Sequence, residues 1–230
     1  MAVAVASLAT QLVSAWGHGP LVDPSDLVWG ELDQASALAV GAEVLQRLGT
    51  GSGPAEWKLG ATDHQTQVRL GVSGPVCAPL VPTRVRRDVS SCVVARDEFR
   101  QPRLEAEIGL LLVAGAWRAV PAVEIADCRI EGWELPPWSL LADACVQGAM
   151  FFGAVAPYGN DVEVVVRHDG VERSHGRGRV DEAMARLAVL PPDAMPTAVA
   201  TGSLTPLLDL VPGRWDVDFG AFGRLVLDVV

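Results

Sequence analysis

Positive charge is outnumbered in this 230-residue chain. Its 18 Lys and Arg face 28 Asp and Glu, for a formal net charge of -10 and a pI near 4.8. Nucleic acid and anionic membranes reward clustered cations, so this balance opposes extended contact with either. The one dense basic run, Arg84, Arg86 and Arg87, is short enough to be a solvated turn or a local anion site. The N-terminus lacks Lys and Arg: neither precedes Arg47, whereas a secretory signal carries that charge at its very start. MAVAVASLATQLVSA reads instead as part of an amphipathic helix, with Leu8, Leu12 and Trp16 recurring on one face. No stretch is uniformly apolar enough to span a bilayer. The four cysteines, at 77, 92, 128 and 145, show no C-x-x-C spacing and read as reduced thiols of a cytoplasmic protein. Internal repeats and low-complexity tracts are also missing.

What is present is apolar material for one sizeable core, half of the composition. Residues 1–52 read as a helical segment: a helix to about Trp16, a loop from Gly17 to Pro24, and a second helix from about Leu32 to Leu48. Asp33 caps the second, while Gly49 and the run from Gly51 to Pro54 stop it. From 53 to 230 the texture becomes short Val-, Leu- and Ile-rich runs punctuated by Gly and Pro, the mark of a β-rich body forming one unit. Expected strands are Glu56–Gly60, Ser91–Ala95, Leu104–Val113, Val120–Ala126, Ala149–Val155, Val162–Arg167, Thr197–Gly202 and Leu225–Val230. His168, Asp169 and Gly170 form a hairpin turn. Trp138–Cys145 is a short helix, and Asp181–Leu190 a compact one that Pro191 and Pro192 end.

The stretch that points to chemistry is PRLEAEIGLLL, from Pro102 to Leu112. Glu105 and Glu107 stand two apart on an expected strand, where residues i and i+2 share a face. An isolated E-x-E is compatible with a solvated strand face beside Arg103. If the strand is buried, two like charges on one interior face require a cation or protons. Mg²⁺ binds through carboxylates and leaves positions open for water and substrate.

Seven strings in order, WKLGATDHQTQVRLGV, QPRLEAEIGLLL, PAVEIADCRIEGW, LLADACVQGAMFFG, SHGRG, ATGSLTPL and VPGRWDVDFGAFGRLVLDVV, resemble the 2-keto-4-pentenoate hydratase and 4-oxalocrotonate decarboxylase branch of the fumarylacetoacetate hydrolase-like superfamily. The similarity runs from about Trp57 to the C-terminus. It implies a mixed α/β (α+β) fold, N-terminal helices followed by a curved β-roll, and a Mg²⁺ or Mn²⁺ ion held by Glu105, Glu107 and Glu124. Glu124 is a lone carboxylate inside the apolar run PAVEI, where an unpaired charge should not survive, and Arg129 or Arg103 are its rival partners. The resemblance gives Lys58 electrostatic stabilisation or proton transfer beside the substrate; otherwise it pairs with a core glutamate. Ser174 and Thr205 match small polar positions lining the site. Family members are commonly homo-oligomers.

Departures from the pattern shift the expected reaction. Where hydratases carry an acid/base aspartate, this chain has Val76, which takes no proton; decarboxylases of the family likewise carry an apolar residue there. Decarboxylation of a 2-oxo acid needs an electron sink, which the cation supplies, whereas hydration also needs a base to activate water. His64 is the replacement base if it faces inward, and a surface residue in Thr62–Gln67 if it does not. The span between Glu107 and Glu124 is about a helix shorter than in typical members, which leaves the site more open or covered by a neighbouring subunit. Asp143 and Ala144 stand where the family has an Asp-Asn pair, and the G-H-P turn is absent. The leading expectation is a lyase of a small 2-oxo acid, decarboxylation ahead of hydration. The alternatives are an acylpyruvate C–C hydrolase using His18, and a divergent isomerase, cyclase or ligand-binding protein reusing the same metal site.

Overall fold

The computed structural model describes residues 2–51, 55–157 and 159–230, with side chains from Val5 onward. The expected boundary at 52/53 and the stop at Ser52–Pro54 fall outside the described residues. Helix α1 (Ala2–Trp16) and helix α2 (Gln34–Arg47) share an apolar cluster through Leu8, Leu12, Val40 and Val44. Asp33 caps α2, accepting from the Ser36 amide at 2.8 Å. A Cβ at Gly41 would lie 2.3 Å from the Leu141 carbonyl, so only glycine lets α2 press onto the chain behind the site. No helix among the described residues is long and apolar enough to cross a membrane.

Thirteen strands follow among the described residues: β1 (Ala55–Gly60), β2 (Val76–Pro79), β3 (Val85–Arg86), β4 (Ser91–Val94), β5 (Pro102–Val113), β6 (Ala116–Asp127), β7 (Gln147–Phe152), β8 (Asp161–His168), β9 (Val171–Arg179), β10 (Pro196–Ser203), β11 (Leu208–Asp209), β12 (Gly213–Asp218) and β13 (Arg224–Val229). Three short helices interrupt them: α3 (His64–Leu70), α4 (Ser139–Ala142) and α5 (Val180–Ala185). One sheet runs β2-β1-β10-β5-β6-β7-β3, with β11 beside β5; the other runs β4-β13-β12-β8-β9. Side chains alternate between faces. Leu104, Ile108, Leu110, Val123 and Ile125 of the larger sheet therefore meet Val164, Val166, Trp215, Val217 and Leu227 of the smaller in one buried core. The opposite face of the larger sheet buries a smaller apolar cluster that includes Leu111, Val120, Ala122, Met150 and Phe152.

The β5–β6 hairpin is in register from Pro102↔Asp127 to Val113↔Ala116, joined by Ala114 and Gly115 at φ 49° and 78°. A two-residue turn with both residues at positive φ matches the twist of the flanking strands. This tight turn is where the expected shortening between Glu107 and Glu124 falls. Other expected elements shift: the strand from Ala149 ends at Phe152, and Asp181–Leu190 divides into α5 and a tighter turn over Arg186–Val189.

Candidate active site

Glu105 and Glu107 do share a face, the one turned away from the second sheet. Glu124 stands directly opposite Glu105 in the hairpin register, and Glu107 opposite Ala122. One carboxylate oxygen from each of the three lies within 4.8 Å of the others. Lys58 projects from β1 onto the same face and pairs with Glu124, although β10 and β5 stand between their strands. Across a flat sheet three strand spacings amount to about 14 Å. The contact therefore requires the sheet to curl, which is how the β-roll brings distant strands to one point.

Each group has a defined surrounding. Glu107 is fully buried, and its Oε2 accepts from the Gly202 amide at 2.8 Å. Gly202 has φ +102°, and a Cβ there would fall 2.5 Å from the Thr62 side chain, so glycine is what puts that amide in place. Thr205 Oγ1 accepts from the Ala106 amide at 3.1 Å, bracing the strand between the two glutamates. Lys58 is 3 % exposed and donates to Glu124 and, at 2.9 Å, to the Cys145 carbonyl. Glu107 Oε1 and Glu124 Oε2 are buried without any hydrogen-bond partner.

Electrostatics follow from crowding. Burial, then the Glu124 charge, pushes the Glu105 carboxyl up to about 7, with Lys58 and Ser203 opposing. Burial, then Glu124 and Glu105, raises Glu107 well above the carboxylate range. Burial disfavours the Lys58 ammonium, but Glu124, Glu105 and Glu107 outweigh it and hold its pKa above the usual lysine value. One ammonium cannot neutralise three carboxylates, and two carboxylate oxygens are orphaned, which normally costs free energy. An all-oxygen acidic donor set with unused lone pairs fits a hard divalent cation.

Above the cluster lies a cavity of about 220 Å³ lined by Lys58, Glu105, Thr62, Trp133 and two arginines, Arg69 and Arg103. Val76 shares the sheet face with Lys58 but is packed in the core beneath Gly60. His64 is exposed at the start of α3 and does not line the cavity. Ser174, half-buried on β9 in the second sheet, is not brought to the cluster. His18 lies in a turn at φ 69°, its carbonyl accepting from Arg100.

No family model matches the chain. Individual proteins do. The TodF product hydratase of Pseudomonas putida (strain F1) is 30% identical over 195 residues, spanning 76% of this chain and 72% of its own. This chain belongs to the 2-keto-4-pentenoate hydratase and 4-oxalocrotonate decarboxylase family. It is accordingly an enzyme of the hydratase/decarboxylase lyase type. The 2-keto-4-pentenoate hydratase 1 of Dechloromonas aromatica (strain RCB) is 28% identical over 226 residues, 84% of each chain. Among solved structures, 4-oxalocrotonate decarboxylase from Pseudomonas putida G7, complexed with magnesium and adipate, superposes with a TM-score of 0.85 at 21% identity. That match covers 100% of this chain and 98% of the other, and it shows that the N-terminal helices and the β-roll together form the family's fold.

Sequence reasoning did not find Gly202, Ser203 or the Cys145 carbonyl as parts of the site. One available signal was passed over: Lys58 is the sole lysine in the chain. A chain that uses arginine for every other cation keeps lysine where a compact, proton-carrying ammonium matters.

Proposed function

We propose that the protein is a divalent-metal-dependent lyase of a small 2-oxo acid, with Glu105, Glu107 and Glu124 holding Mg²⁺ or Mn²⁺ and with decarboxylation ahead of hydration. The observation that carries this is the pair of orphaned oxygens, Glu107 Oε1 and Glu124 Oε2, on two of three carboxylates that converge beside a buried lysine. When bound, the ion supplies Lewis-acid polarisation of the keto and carboxylate oxygens. The residues themselves divide the rest of the work. Lys58 places a fixed positive charge where the keto oxygen gains electron density, worth most in a site that excludes water. Arg69, with Arg103 beside it already paired to the exposed Asp209, gives the cavity rim a cation suited to a second carboxylate on the substrate. As that carboxylate leaves as CO₂, its bonding electron pair passes through the enone toward the keto oxygen beside Lys58. Addition of water would need a base, and Val76 offers none.

Incubation with Mg²⁺ and a 2-oxo-3-enedioate, following the dienol absorbance, tests the proposal; unchanged turnover in Glu105→Gln would remove the metal from it. Oxalate binding without turnover of any 2-oxo acid would assign a ligand-binding role instead. Cytoplasmic location and a homo-oligomeric state belong to the same proposal, the latter tested by light scattering.

A further inference from the structure

Ala144, Cys145 and Val146 follow one another at φ 47°, 60° and 49°. None is glycine, and for a β-branched residue such as Val146 this region is a genuine outlier. A backbone of this kind persists only where its surroundings over-determine it. Arg129 provides that surrounding. It is completely buried, donating from Nε to Asp143 Oδ1 at 2.7 Å, from Nη2 to the Asp143 carbonyl at 3.0 Å and from Nη1 to the Gln147 carbonyl at 2.7 Å. The guanidinium thus ties the residue before the turn to the residue after it. Gln147 adds a tie to the turn itself, its Nε2 donating to the Ala144 carbonyl at 3.1 Å and to Pro79 at 3.0 Å. The ring of Trp16, on α1, covers the guanidinium at 4.1 Å. At the centre of the clamped turn is the Cys145 carbonyl, the second acceptor of Lys58.

We propose that Arg129, assisted by Asp143 and Gln147, is a positioning residue for Lys58. It holds Ala144–Val146 left-handed, so that the Cys145 carbonyl fixes the ammonium at the wall of the cavity. The inference rests on the role given to Lys58 above. It also supplies a reason for the N-terminal helix to be part of the enzyme: Trp16 closes the clamp.

Because Lys58 is the only lysine, protein grown on lysine labelled with ¹³C at Cε gives a single side-chain resonance, a readout independent of turnover. In folded Arg129→Gln this resonance should move or broaden and kcat should fall about tenfold or more. KM for the 2-oxo-3-enedioate and the Kd of Mn²⁺ should stay near wild type, since the glutamates are set by the β5–β6 register. Glycine adopts positive φ without penalty, so adding Val146→Gly to Arg129→Gln should restore much of kcat and of the resonance position. If Arg129→Gln does not fold, Gln147→Met, which removes the donor to Ala144, takes its place with the same readouts. A folded variant with wild-type kcat and an unmoved resonance would overturn the inference, as would a loss that Val146→Gly leaves unrelieved. Full turnover in Lys58→Met would instead sink the catalytic role of the lysine, while the Lys58 resonance in the Arg129 and Gln147 variants would still report on the clamp.

Discussion

Three carboxylates crowded around one lysine should make the metal-free protein less stable as pH rises, and Glu105 lets the size be worked out. Its carboxyl is raised from 4.5 to about 7 in the folded state, by burial first and by Glu124 second. An acid whose folded pKa exceeds its unfolded value binds more protons in the native state between the two values, so stability falls with pH across that window. The contribution is intact below about pH 4.5, is lost progressively up to about pH 7, and then levels off. At 1.36 kcal/mol per unit, the full loss is about 3 kcal/mol. Chelator-treated wild type and Glu105→Gln, compared by urea denaturation from pH 4 to pH 8, read this group together with the share of Glu107's raised value that the Glu105 charge causes. Glutamine carries no charge to lose, so the variant should be the more stable by about 3 kcal/mol at pH 8, or roughly 6–12 °C in Tm, with the gap closing toward pH 4. Mg²⁺ at 1,000 times its Kd should reverse the order at pH 8, since an ion at that concentration adds about 4.1 kcal/mol to a protein that binds it only when folded. A gap that is absent or constant with pH would show that the three carboxylates are not crowded as described.

Gly202→Ala forces a side chain into Thr62 at φ +102°; it should cost about 1–3 kcal/mol in urea denaturation and weaken Mg²⁺ binding about tenfold by calorimetry, because the amide serving Glu107 moves. Val76→Asp returns a carboxyl to the sheet face of Lys58; it should add measurable hydration of 2-oxo-4-pentenoate while lowering stability by about 2–4 kcal/mol through burial of a polar group in an apolar core, and no gain in hydration would detach that position from the choice of reaction. Asp33→Ala deletes the cap of α2 and should lower stability by about 1 kcal/mol, with kcat unchanged. His64→Ala should leave kcat and KM unchanged, since the imidazole is exposed outside the cavity.

Strand periodicity was enough to put Glu105 and Glu107 on one face, because the two-residue repeat of a strand is local. The same logic marked Glu124 as a charge that required a partner, yet the rivals expected from sequence, Arg129 and Arg103, are engaged elsewhere, with Asp143 and Asp209. The actual partner is Lys58, for which a core glutamate was an expected partner; which glutamate it would be was not readable, since the contact depends on the curl of a sheet across two intervening strands. Helix α3 was missed because HQTQVRL buries only Leu70 and so shows no apolar stripe. The left-handed turn at Ala144–Val146 left no trace for a different reason. Positive φ is ordinarily announced by glycine or asparagine, and this chain places three side-chain-bearing residues there, one β-branched, held by tertiary bonds from Arg129 and Gln147. Where the sequence conceals a backbone conformation in this way, the surrounding structure must supply what local preference withholds, at about 1–2 kcal/mol per residue in the left-handed region. A buried arginine that returns that cost without touching the cavity accounts for why the helices before residue 52 and the β-roll after it form one enzyme: the clamp that aims Lys58 draws Trp16 from the first and Asp143 and Gln147 from the second.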